Sequence, residues 1–177
     1  MTGGSLAGSL LVASPLLLDP NFVRAVIYLL HHDDEGAVGV VLNRPSEEPV
    51  TAHLPAWSGA LVDPAVVFVG GPVEPAVAIG LTAEPGSGEP TPVPGIALVD
   101  LSGSPGLLDR VRVFSGYAGW GAGQLEGELE EGSWIVVDAE PADPFSTDPA
   151  GLWRWVLRRQ GGRLALVSLM PPDPSMN

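Results

Sequence analysis

A single α/β domain is what this sequence predicts, and three observations predict it. Apolar runs of strand length recur along the chain, each closed by Gly, Pro, Asn or Asp. One segment near the C-terminus has helical apolar spacing, and no stretch has the composition of a linker between domains. A chain of 177 residues buries on the order of 70% of its unfolded surface, so residues 1–177 are expected to share one core.

Taken in order, Leu10-Leu11-Val12-Ala13 is apolar at every position and ends at Ser14-Pro15, the pattern of a strand covered on both faces. A short loop, Asp19-Pro20-Asn21, precedes two β-branched and aromatic runs, Phe22–Leu30 and Gly36–Leu42. These pair as a hairpin around the polar tip His32-Asp33-Asp34-Glu35 and end at Asn43-Arg44-Pro45. Pro49, Pro55 and Pro64 limit residues 46–64 to loop and one brief helical segment. Ala65–Val69, stopped by Gly70-Gly71-Pro72, and Val77–Thr82 are further strands, and residues 84–95 form a Pro/Gly-rich surface loop.

After a strand at Ile96–Asp100, Ser104-Pro105 predicts the start of a helix of about two turns. Val111–Ser115 is a strand leading into Gly116–Glu126, which packs four glycines, Tyr117 and Trp120 into what reads as a tight aromatic turn. Gln124–Glu131 suits a short helix with Leu125 and Leu129 on one face, and Ser133–Val137 is a strand. Asp148-Pro149 starts the clearest helix, with Leu152, Trp153, Val156 and Leu157 at core spacing and Gly161-Gly162 as its stop. Leu164–Leu169 is expected to be the last strand.

Charge removes several functions. The net charge of −13 comes from 21 acidic residues against 8 basic ones, all arginine. That field repels nucleic-acid phosphates and acidic lipid headgroups unless the arginines gather on one face, so direct nucleic-acid binding is disfavoured. Without cysteine there is no disulfide, thiolate nucleophile or Cys-based zinc site. Leu6–Leu18 is apolar, but no Lys or Arg precedes it and Gly8, Ser9, Ser14 and Pro15 interrupt it, which argues against a signal peptide. No apolar run reaches the roughly 20 residues of a membrane span. The expected location is the cytoplasm.

The motifs with chemical content are incomplete. Gly119, Gly121 and Gly123 precede a helix as in a phosphate-binding loop, yet Glu126 stands where a dinucleotide fingerprint needs a small residue. The helix carries Glu126, Glu128, Glu130 and Glu131, and no Lys-Ser/Thr pair completes a P-loop. His31 and His32 are adjacent on a strand and point to opposite faces, so the His/Asp/Glu tip is a solvated turn and no metal is expected. Phe114-Ser115-Gly116 lacks the first glycine of a nucleophile elbow. Arg154, Arg158, Arg159 and Arg163 form either a small basic patch or a solvated helix face paired with nearby acids. No cofactor motif is complete.

Four passages, in order, resemble the YqgE/AlgH family, whose members are often labelled transcriptional regulators. They are Leu11–Pro15 with Asp19–Arg24; His32 with Gly36–Gly39 and Asn43-Arg44-Pro45; Gly70–Val73; and Gly116–Trp120 with Gly123–Glu126. The resemblance runs from Ser9 to Trp155. The sequence departs from it at Leu101–Ser104, where many members read Thr-Ser-x-Asp, and in the 84–95 loop. The resemblance implies a single domain with a curved, barrel-like mixed β-sheet flanked by a few short helices, in the bacterial cytosol. It implies no reaction and no cofactor.

Two functional expectations follow. The first is a regulatory or adaptor protein that acts through a protein partner or small ligand on a surface containing His32, Asn43, Arg44, Gly70, Gly71, Tyr117, Trp120 and Gln124. The second is an enzyme on a small polar substrate, with His32 as acid/base and Asn43 or Arg44 orienting an anion.

Overall fold

A computed structural model describes residues 4–84 and 86–171. Its strands are β1 (Ser9–Ala13), β2 (Val26–Asp33), β3 (Gly36–Val41), β4 (Pro45–Pro49), β5 (Val66–Val69), β6 (Val73–Thr82), β7 (Glu89–Pro90), β8 (Ala97–Val99), β9 (Val111–Gly121) and β10 (Trp134–Asp138). Three α-helices, α1 (Gln124–Glu130), α2 (Leu152–Gln160) and α3 (Gly162–Val167), are joined by short 3-10 segments, two of them at Val50–Ala52 and Pro55–Ala60. Eight strands in the order β10-β1-β2-β3-β9-β6-β8-β7 are antiparallel neighbours and curl into a half-barrel. β5 adds a parallel pairing to β9 at Phe68–Phe114, and β4 lies antiparallel on β5. The mixed α+β fold with a curved sheet and short helices is the one expected.

Side chains alternate along a strand, so a run that is apolar throughout requires cover on both faces. Leu10, Val12, Val26, Tyr28 and Val40 enter one core, which α2 covers with Leu152, Trp153, Val156 and Leu157. Leu11, Ala13, Ile27, Leu29 and Val41 enter a second core with Trp120, Trp134 and Leu125 of α1. Deep in the first core lies an arginine. Arg112 is 2% exposed, donates to the carbonyls of Pro144, Ser146 and Asp63, and stacks over the Phe68 ring at 4.3 Å.

The glycine/aromatic stretch expected as a tight turn is not one. β9 continues through it to Gly121, paired with β3 at Gly39–Ala118 and Ala37–Trp120. Gly116 has φ +72, a conformation open to glycine and strained for other residues, and it shifts the alternation by one residue. Before it Phe114 faces the first core; after it Ala118 and Trp120 face the second. The sequence pattern breaks at this glycine while the hydrogen-bonded strand does not.

Two other expectations fail. No helix forms after Ser104: Gly106 takes φ +58, Leu107 is 99% exposed, and one i→i+3 bond from Leu108 N–H to the Pro105 carbonyl is the extent of the turn. The final strand at Leu164–Leu169 is instead α3 and its C-terminal turn. Leu164 and Val167, three apart, pack on the first core while Leu166 and Leu169 face solvent. A short apolar run does not distinguish strand from helix by periodicity. Asn43-Arg44-Pro45 ends the hairpin but also leads into β4, an edge strand where proline's missing donor is harmless.

Candidate functional site

The sequence-named residues divide among three places. Gly70, Gly71, Tyr117, Trp120 and Gln124 lie along β9, on the segment crossing it and at the start of α1. Trp120 is 7% exposed and packs edge-on against Trp134 at 6.1 Å. The Glu128 side chain accepts from Trp120 Nε1 at 3.0 Å, Trp134 Nε1 at 2.8 Å and Gln124 Nε2 at 3.1 Å. Gln124 Oε1 accepts the Gly121 N–H, and the Tyr117 hydroxyl donates to Glu74. The motif thus seats α1 on the second core. Glu128→Ala is expected to cost about 2–3 kcal/mol, because two half-buried indole N–H groups lose their acceptor. Guanidinium unfolding of the variant, with a loss under about 0.5 kcal/mol, would contradict this role.

His32 lines a separate cavity of 540 Å³ with Ser5, Leu6, Asp33, Asp34, Glu126 and Leu129 among others. The Leu6 N–H donates to Nδ1 at 2.9 Å, so Nε2 carries the hydrogen that reaches Glu126 at 3.0 Å. This hydrogen bond holds the Glu126 carboxyl below the usual range. Both ring nitrogens are engaged in fastening the N-terminal segment and α1 to the hairpin. His31 turns the other way, to Asp33 at 2.8 Å. Among the described residues, no group of three or more His, Asp or Glu is arranged to hold a metal.

Asn43 and Arg44 belong to a third place, a cleft of 590 Å³ lined by Val23, Arg24, Asn43, Arg44, Pro45, Val69, Pro149, Ala150, Trp153 and Arg154. It forms where the turn entering β2, the link from β3 to β4 and the end of β5 meet the start of α2. Since His32 lines a different cavity, an acid/base set of His32 with Asn43 and Arg44 does not share one site.

The cleft is built around a strained residue. Arg24 has φ +58, a left-handed conformation that costs a non-glycine residue roughly 1–2 kcal/mol. The Asn43 amide offsets it by bracketing the turn: Nδ2 donates to the Arg24 carbonyl at 2.9 Å and Oδ1 accepts from Val26 N–H at 3.0 Å. Asn43 is therefore a positioning residue. Arg24 stacks on the Trp153 ring at 3.9 Å and donates from Nη2 to the carbonyls of Met170 and Pro171. Arg44 donates to the carbonyls of Pro20 and Val23, and Arg154 to that of Ser168.

Three arginines of the chain's eight thus line one cleft, and among the described residues no carboxylate lines it with them. Among the described residues none of the three forms an ion pair, whereas Arg159 is held bidentately by Asp143 at 2.6 and 2.8 Å and also meets Glu140. Burial, and secondly the charge of Arg154, push the Arg24 guanidinium below its ordinary value. Arg44 moves the same way through burial, opposed by Asp19 nearby. The basic patch weighed for Arg154, Arg158, Arg159 and Arg163 does not form, since Arg154 turns to the cleft and Arg159 to its acids. Sequence reasoning missed Arg24, Trp153 and Arg154 as a set. The one available signal was the condition that arginines gathered on one face would reverse the charge argument.

Comparison with known proteins places this architecture. The chain is 52% identical to a UPF0301 protein of Streptomyces coelicolor, over 98% of this chain and 96% of that one. It is 43% identical to a UPF0301 protein of Mycobacterium tuberculosis, over 97% and 90%. The crystal structure of a Corynebacterium diphtheriae protein, DIP2367, superposes with a TM-score of 0.85 at 28% identity, covering 96% of this chain and 94% of that one. The solution structure of AlgH from Pseudomonas aeruginosa gives 0.70 at 29%, covering 97% of each. The model of the AlgH-like family matches residues 10–165. In sequence and in fold, the chain belongs to the AlgH-like family.

Proposed function

We propose that this protein is a cytoplasmic regulatory or adaptor protein that works by binding an anionic ligand in the Arg24–Arg44–Arg154 cleft. The observation that carries this is the gathering of three guanidiniums, unpaired with any carboxylate among the described residues, in a chain whose net charge is −13. Everywhere else the field of such a chain opposes an anion; in a concave, partly apolar site lined by cations the balance reverses. Any influence on gene expression would run through ligand or partner binding, since an acidic surface opposes the many phosphate contacts of DNA reading.

The test is thermal unfolding of the protein and of an Arg44→Gln/Arg154→Gln variant, in chloride against citrate, sulfate, phosphate and polyglutamate at constant ionic strength. At least one anion is expected to raise the wild-type melting temperature by several degrees, as binding only the folded state requires, and to do so far less in the variant. Equal shifts in both proteins, or none in either, would overturn the proposal.

A further inference from the structure

Resting on the anion-binding cleft, a narrower assignment can be made: we propose that its ligand is a phosphomonoester, a phosphate dianion carried on a small uncharged organic group, bridged by Arg24, Arg44 and Arg154. The first argument is the donor set. Each guanidinium is pinned along part of its edge by backbone carbonyls, those of Met170 and Pro171 for Arg24, Pro20 and Val23 for Arg44, and Ser168 for Arg154. Among the described residues, Nε and Nη1 of Arg24, Nε of Arg44, and Nε and Nη2 of Arg154 have no hydrogen-bond partner. Arginine's planar fork suits phosphate oxygens, and forks already held in place lose little freedom on binding.

Charge is the second argument. A carboxylate brings one negative charge and two oxygens, and would leave the mutual repulsion of Arg24 and Arg154 largely uncancelled. A tetrahedral dianion brings two charges and enough oxygens to meet three forks at once. Third, the cleft is much larger than a bare oxyanion, and apart from the Asn43 amide and the Trp153 ring the rest of its wall is Val23, Pro45, Val69, Pro149 and Ala150. Those side chains offer contact to an uncharged organic group and would reject a second charged one.

The experiment is calorimetric titration of the full chain with inorganic phosphate, phenyl phosphate, sulfate, benzoate and a phosphoserine peptide at one ionic strength. Phenyl phosphate is expected to bind most tightly, with inorganic phosphate and sulfate weaker and benzoate weakest. Phosphate and phenyl phosphate affinities are expected to rise several-fold as pH passes upward through the second phosphate ionisation, roughly pH 6, while sulfate affinity stays level. Arg44→Gln and Arg154→Gln are each expected to weaken phenyl phosphate by about tenfold or more, with the Lys variants intermediate because they keep charge and lose the fork. Near-ultraviolet circular dichroism confirms that each variant is folded.

Benzoate binding as tightly as phenyl phosphate, or phosphate affinity indifferent to pH, would overturn this assignment and leave the anion cleft standing. A phosphoserine peptide binding more tightly than phenyl phosphate would overturn the small-molecule part. No binding of any anion would remove the cleft itself.

Discussion

Replacing Arg112 with alanine is expected to lower the unfolding free energy by about 3–5 kcal/mol, among the largest single-residue effects in this fold. Arg112 sits on β9 opposite Leu81 and is almost wholly enclosed. Its Nη1 donates to the Pro144 and Ser146 carbonyls at 3.1 and 2.7 Å, and its Nη2 to the Asp63 carbonyl at 2.6 Å. These bonds tie the segment before β5 and the segment before α2 to the central strand. Burial is costly for the cation: its pKa is pushed down to about 10, with only the Asp63 charge acting the other way, and Nε has no acceptor.

Alanine would relieve that desolvation, but it would strand the buried Pro144 carbonyl, remove the donor from the part-buried carbonyls of Ser146 and Asp63, and leave a void against Phe68. Each unsatisfied group costs about 1–3 kcal/mol, and the void adds to it. Arg112→Met should recover the packing but not the hydrogen bonds, and so fall between the two. Urea unfolding followed by tryptophan fluorescence measures both; a loss below about 1 kcal/mol for alanine would show that the guanidinium's burial cost cancels its bonds.

Gly71→Ala is expected to cost about 2–6 kcal/mol, combining backbone strain of about 1–3 with overpacking of about 1–3. Gly71 has φ +154, and a Cβ there would lie 2.1 Å from the Tyr117 carbonyl carbon and 2.5 Å from the Ala118 nitrogen. Those are backbone atoms of β9, so neither a rotamer change nor a side-chain shift makes room. The Gly70-Gly71 pair crosses β9 beside Gly116, and the Gly70 carbonyl accepts the Val41 N–H while its N–H meets the Ser115 carbonyl. A side chain at Gly71 therefore forces apart the strands that frame both cores. Gly121→Ala is the control: open space surrounds that position, and its cost should stay within about 0.5 kcal/mol. Comparable losses at the two sites would contradict the close-approach argument.

Both effects concern residues whose importance the linear sequence understates. Arg112 looks like an ordinary strand arginine between Val111 and Val113, and nothing local marks it as the one that faces the first core. Gly70-Gly71 does stand out, and the family resemblance includes it, but only the crossing with β9 explains why a Cβ is excluded.

Elements whose chemistry is local were legible along the linear chain. Leu10–Ala13 is apolar throughout and had to be covered on both faces; the β2–β3 hairpin followed from two β-branched runs around a polar tip. α2 was legible from Leu152, Trp153, Val156 and Leu157 together with its Pro start and Gly stop. Tertiary structure alone decided what depends on distant partners. It turned Gly116–Gly121 into continuous strand, because β3 and β6 supply hydrogen bonds that override its three glycines and the positive φ of Gly116 shifts the alternation. It made Leu164–Val167 a helix, because α2 offers a groove for residues three apart. It also brought Arg24 and Arg154, 130 positions apart in number, to the same cleft as Arg44. Sequence spacing carries no record of such convergence; only the packing of the start of α2 against the β2 and β5 ends creates it.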